Sequence, residues 1–166
     1  MRTPGLMEFC AAIEGTPLNS WIQDHGDLFI PSIQVIHIIA ISAILIASSM
    51  MNLRILGMAS MDHRLSFVVG RFSPILRISL VFLIISGILM IVGEPARSLA
   101  NSAFQFKMIC LISALLIFWI MTRALSQDEG YWQKSASRQS TVKVLAILSM
   151  MLWVSIVFAG RWIAYL

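Results

Sequence analysis

Charge is what this chain has least of. Asp, Glu, Lys and Arg make up 12% of its 166 residues, against about 25% in soluble domains, which need charge to face water. With 58% hydrophobic residues and a mean hydropathy of +0.85, the chain cannot cover a water-facing surface of its own size. Cysteine is scarce as well. Cys10 and Cys110 stand far apart and fit no C-x-x-C or zinc spacing, so neither a disulfide framework nor a zinc module is in play. Cys110 is expected inside a span as a small apolar side chain. The usual catalytic signatures are missing: there is no G-x-S-x-G, no Walker loop and no H-E-x-x-H. No carboxylate lies in any long apolar run, which argues against a proton relay built on acid pairs. Basic residues stand singly rather than in a patch with aromatics, so nucleic acid is not an expected partner. Nothing here points to an enzyme.

What the chain does have is four long apolar runs, at residues 28–53, 74–93, 104–122 and 142–165. About 20 residues of helix cross the hydrocarbon core, and each run is near that length or longer. In lipid only helices and closed barrels satisfy the backbone, and runs without strict alternation are helices. The expected fold is therefore an all-α polytopic membrane protein. It comprises a four-transmembrane-helix bundle over residues 28–166 and an N-terminal interfacial arm over residues 1–27. Arg77, Lys107 and Lys143 fall within or beside these runs and are expected to snorkel to the headgroups.

The arm, which includes "GLMEFCAAIEGTPLNSWIQDHG", predicts two short helices broken at Gly15–Pro17, the second capped by Asn19 or Ser20. Trp21 is placed as an interfacial anchor. Glu8, Glu14, Asp24 and Asp27 interrupt any signal-peptide core, so the first span is expected to direct insertion. The two loops on one side hold Arg54, Arg64, Arg71, Arg77, Arg123, Lys134, Arg138 and Lys143. Arg2, Arg97, Lys107 and Arg161 lie on the other side, mixed with acids. The positive-inside rule then predicts a bacterial inner membrane protein with both termini on the periplasmic side. Tyr131 and Trp132 are expected to rest at the cytoplasmic interface.

The first span carries the main chemical question. At about 100° per residue, His37, Ser48 and Asn52 fall within about 60° of Gln34, forming one polar stripe. Such a stripe is expected to face the bundle interior, where hydrogen-bond partners exist. Small residues on the other spans (Ser79, Ser86 and Gly93; Cys110, Ser113 and Ala114; Ser149, Trp153 and Gly160) offer matching surfaces. His37 reads first as a hydrogen-bonded structural imidazole. The sharper reading makes it an axial ligand to haem b or a ligand to copper. Met150 or Met151 would then be the second ligand by depth, and Arg161 a partner for outward propionates. A second, weaker copper candidate groups Met50, Met51, Met58 and Met61 with Asp62 and His63.

Four segments carry a resemblance: "IPSIQVIHIIA", "NLRILG", "FQFKM" and "LSMMLWVSIVFAGRWIAYL". With them the chain resembles a group of small uncharacterised bacterial four-span membrane proteins, and is more distantly similar to copper-resistance D-type membrane proteins. The resemblance implies a bundle and admits metal handling, without naming a substrate. The expected function is that of a non-enzymatic integral membrane subunit or partner-binding module, with another membrane protein or a second copy as partner. The alternative is a b-type haem or copper protein in electron transfer or metal handling through His37.

Overall fold

The computed structural model describes the chain except residues 1–3, 60, 61, 128–130, 164 and 166. Seven α-helices account for most of the described residues, and no strand occurs among them. Two short helices come first, α1 (Pro4–Glu14) and α2 (Pro17–Asp24). The break falls where Gly15 and Pro17 predict it, but the cap is Thr16 rather than Asn19 or Ser20. Pro17 presets the first helical turn, and the Thr16 hydroxyl accepts from the Asn19 N–H. That leaves the Asn19 side chain free for a longer-range bond.

Four long helices follow: α3 (Gly26–Leu56), α4 (Leu65–Gly93), α6 (Ser102–Gln127) and α7 (Ala136–Trp162), with the single-turn α5 (Pro95–Leu99) between α4 and α6. All four are long and apolar enough to cross a membrane. The helices overrun the predicted spans at their polar ends. α4 begins nine residues earlier than the apolar run, and Pro74 lies inside it. A proline is tolerated in a membrane helix because neighbouring elements compensate the lost hydrogen bond. α7 begins at Ala136 because the Ser135 hydroxyl caps it, accepting from the Arg138 N–H. Gly57 stops α3 in the left-handed conformation, φ 78°, while its N–H and that of Met58 return to the Arg54 and Leu53 carbonyls.

α3 packs along both α4 and α7, and α7 packs along α6, so the neighbour order is α4–α3–α7–α6. The core drawn from all four includes Ile44 and Ala47 of α3, Leu76 of α4, Ala114 of α6 and Ile156 of α7. Isoleucines dominate the outside, among them Ile38, Ile46, Ile78, Ile109 and Ile147, an arrangement suited to lipid rather than water. Some serines within the spans turn back on their own helices. Ser42, Ser113 and Ser155 each donate to the carbonyl four residues earlier. Ser113 is half-buried, next to Ala114, which with Cys110 belongs to the core.

The arm is docked. Asn19 Nδ2 donates to the Val92 carbonyl at 2.7 Å and Gln23 Nε2 to the Gly93 carbonyl at 2.6 Å, satisfying the carbonyls that α4 leaves open at its C-terminus. Ile22 is fully buried beside Gly93 at the end of α4. Asn101 Nδ2 donates to the Ile163 carbonyl, so the arm, α5 and the end of α7 gather at one end of the bundle. At the other end Trp132 departs from its expected interfacial position. It is buried against Met121 and Val142, and its indole N–H donates to the Met121 carbonyl. A buried indole requires such an acceptor, and the Met121 carbonyl, six residues before the end of α6, supplies it.

Candidate polar site within the bundle

His37 on α3 meets Ser86 on α4 and Lys107 on α6. Nδ1 of the imidazole lies 2.9 Å from Ser86 Oγ, and Nε2 lies 3.4 Å from Lys107 Nζ. The proton positions follow from Ser86. Its hydroxyl donates to the Phe82 carbonyl at 2.6 Å, so Oγ is left to accept from His37 and the ring carries its proton on Nδ1. Nε2 then presents a lone pair, which accepts from the Lys107 ammonium. The chain of donors runs Lys107, His37, Ser86, Phe82 carbonyl. Two glycines give the groups room. A Cβ at Gly87 would sit 3.6 Å from the imidazole Cε1, and one at Gly160 would sit 3.7 Å from Lys107 Nζ.

Sequence reasoning gave Lys107 a headgroup role and missed its contact with His37. Its ammonium stands beside the imidazole and beside Gly160 in the last turn of α7, at the arm-covered end of the bundle. No carboxylate among the described residues lies within ion-pair distance of it. The one signal for this was Gly160, a glycine in α7 at a depth that a lysine early in α6 can reach. The Glu94–Arg97 pair at 2.9 Å is exposed and involves neither Lys107 nor Arg161.

A second polar level lies deeper. Asn52 Nδ2 donates to Ser48 Oγ on its own helix and to Ser149 Oγ on α7, both at 3.3 Å. All three residues are buried. They border a small cavity of about 20 Å³ closed by Phe118, Met121, Trp132 and other side chains, room for about one water molecule.

Of the four stripe residues, Ser48 and Asn52 are buried and His37 half-buried, whereas Gln34 is exposed. An angle of about 60° on the helical wheel spans the edge of the buried face. Gln34, at the edge nearest the end of the bundle, falls outside it. The proposed second ligands do not approach the ring. Met150 lies ten residues, about 15 Å of rise, from Gly160 beside the Lys107 ammonium, and Met151 is 63% exposed. Arg161 is exposed and donates to the Tyr165 hydroxyl. Both imidazole nitrogens are engaged, and the one with a lone pair faces a cation, so this donor set does not suit haem iron or copper. Among the thioethers, Met51 is core, Met58 is exposed, and Met61 lies outside the described residues. No cluster of three metal-ligating His, Cys, Asp or Glu side chains occurs among the described residues.

The chain belongs to a family of unknown function, DUF6644, whose profile matches residues 12–166. That match covers all four long helices and α2, and carries no description of copper handling. No curated protein and no solved structure matches the chain.

Replacing Ser86 with Ala removes the acceptor for His37 Nδ1–H and should lower stability by about 0.6–1 kcal/mol, the usual size of an interhelical bond in a membrane protein. In a His37→Leu background the same replacement should cost markedly less, read by thermal unfolding in one detergent. Equal costs in both backgrounds would show that the bond contributes nothing.

Proposed function

We propose that this protein is a non-enzymatic subunit or partner-binding module of a complex in the bacterial inner membrane, with both termini on the periplasmic side. The observation that carries the reading is Gln34. It is exposed on α3, eight residues or about 12 Å into a helix of about 46 Å, and no hydrogen bond engages its amide. Near the hydrocarbon boundary and among exposed apolar side chains, its donors and acceptor have no protein partner among the described residues. A helix from a second copy or another membrane protein, laid along this face, supplies the missing partners, as Gln commonly does between membrane helices. Val35, Ile38 and Ile39, exposed around it, give such a helix an apolar surface to pack on.

The orientation rests on eight basic residues in the two connections at the end opposite the arm and in the helices that flank them. Haem or copper chemistry through His37 is the competing reading. The engagement of both ring nitrogens by Ser86 and Lys107 disfavours it.

Gln34→Leu should leave thermal stability within about 0.5 kcal/mol of the parent, as expected away from the core. It should also weaken association in native membranes by about threefold to tenfold, matching the loss of one interhelical bond. Cross-linking through Gln34→Cys separates a second copy, which gives a symmetric disulfide dimer, from a different protein. Unchanged association of the leucine variant would refute the reading. For orientation, a reporter active only in the periplasm should be active when fused after Leu166, and a silent fusion there would reverse the assignment.

A further inference from the structure

Lys107 presents an incomplete interaction, independent of the Gln34 face. Its ammonium has three hydrogens to donate, yet the one acceptor it meets is His37 Nε2, at a long 3.4 Å. No acidic side chain among the described residues answers its charge. A cation drawn inside a span without a counter-charge is costly, and such residues mark places where an anion is bound or carried.

The depth of the group decides which anion. Gly160, beside the ammonium, lies two residues from the end of α7. That helix has 27 residues, about 40 Å against a hydrocarbon core of about 30 Å. Its last turn therefore stands at the boundary between acyl chains and headgroups. The ammonium, beside Gly160, lies at that boundary. Lys107 and His37 are both half-buried, so the pair is reachable from the side. Phe106 and Ile109, exposed next to Lys107 on α6, present an apolar surface along which acyl chains run. Arg161 follows Gly160 directly and is exposed at the same end, a second cation for the same headgroup.

We infer that Lys107, backed by His37 and flanked by Arg161, binds the phosphate of a phospholipid headgroup at the arm-covered end of the bundle. The neutral imidazole, fixed by Ser86, accepts one ammonium hydrogen and aims the other two at the phosphate oxygens. A phosphate fits better than a carboxylate on a partner helix. Its several oxygens match the two free ammonium hydrogens and the guanidinium together, and lipid already occupies this level of the membrane.

The test is native mass spectrometry of the full chain in mild detergent, titrated with phosphatidylglycerol or with diacylglycerol of the same acyl chains. The parent should retain one phosphatidylglycerol per chain and no diacylglycerol. Lys107→Met should weaken that retention by about tenfold or more, the effect of one charge-assisted hydrogen bond, and Lys107→Arg should recover most of it. Lys107→Met also removes the donor to His37 Nε2, so Lys107→Gln, which keeps a donor without the charge, is measured beside it; lost retention at an unchanged melting temperature cannot be put down to misfolding. Millimolar inorganic phosphate should not displace the lipid. Displacement would reassign the site to a free anion. Equal retention by parent and Met variant would overturn the proposal. So would a lipid-free parent that holds a partner protein through Lys107.

Discussion

Hydrocarbon gives an imidazole nothing to bond, and that single constraint organises the arm-covered half of this bundle. Both nitrogens of His37 must be satisfied by protein, and the available groups lie on two different helices, Ser86 on α4 and Lys107 on α6. Satisfying the ring therefore fixes the relative height of three spans at once. Gly87 and Gly160 flank the ring and the ammonium. A donor chain running one way, from ammonium to ring to hydroxyl to carbonyl, leaves no buried polar atom without a partner among the described residues.

The second level, formed by Ser48, Asn52 and Ser149, does the same for α3 and α7. It lies 11–15 residues further along α3, about 16–22 Å of rise, and between the two levels the core is apolar, with Ile44 and Ala47 fully buried. Each bond contributes only about 0.6 kcal/mol on average in a membrane protein. Packing of the apolar faces supplies the bulk of the cohesion, and the polar levels select one register among the many that smooth aliphatic helices would allow. α3 belongs to both levels and packs on both α4 and α7, so it is the central element of the fold.

The architecture was legible because it depends on one-dimensional quantities. The lengths of the apolar runs, the absence of carboxylates within them and the turn residues at Gly15 and Pro17 specify four spanning helices and two short ones before them. The inward turn of Ser48 and Asn52 was legible for the same reason, since both lie on the polar stripe; Asn52 shares the helical angle of Gln34 and differs from it in depth. Gln34 was not, because a helical wheel cannot say how wide the buried face is at each depth. Lys107 was hidden by a different gap. Its partner is on α3, two spans earlier, and no periodicity within α6 reports which helix lies opposite. Trp132 looked like an interfacial anchor because composition cannot reveal that it packs against Met121 and Val142. The haem reading failed on direction: Met150 matched His37 when depth was counted along the chain, whereas Lys107 and Gly160 set the level of the ring.

The central claim is that a neutral His37 ring donates from Nδ1 to Ser86 and accepts at Nε2 from Lys107. Nitrogen-15 NMR of the histidine-labelled protein in lipid reads this directly, with His25 and His63 replaced to leave one ring. The account predicts a single neutral tautomer protonated at Nδ1, with an Nε2 shift that moves when Lys107 becomes Met. A ring protonated at Nε2, or an Nε2 signal indifferent to Lys107, would contradict it.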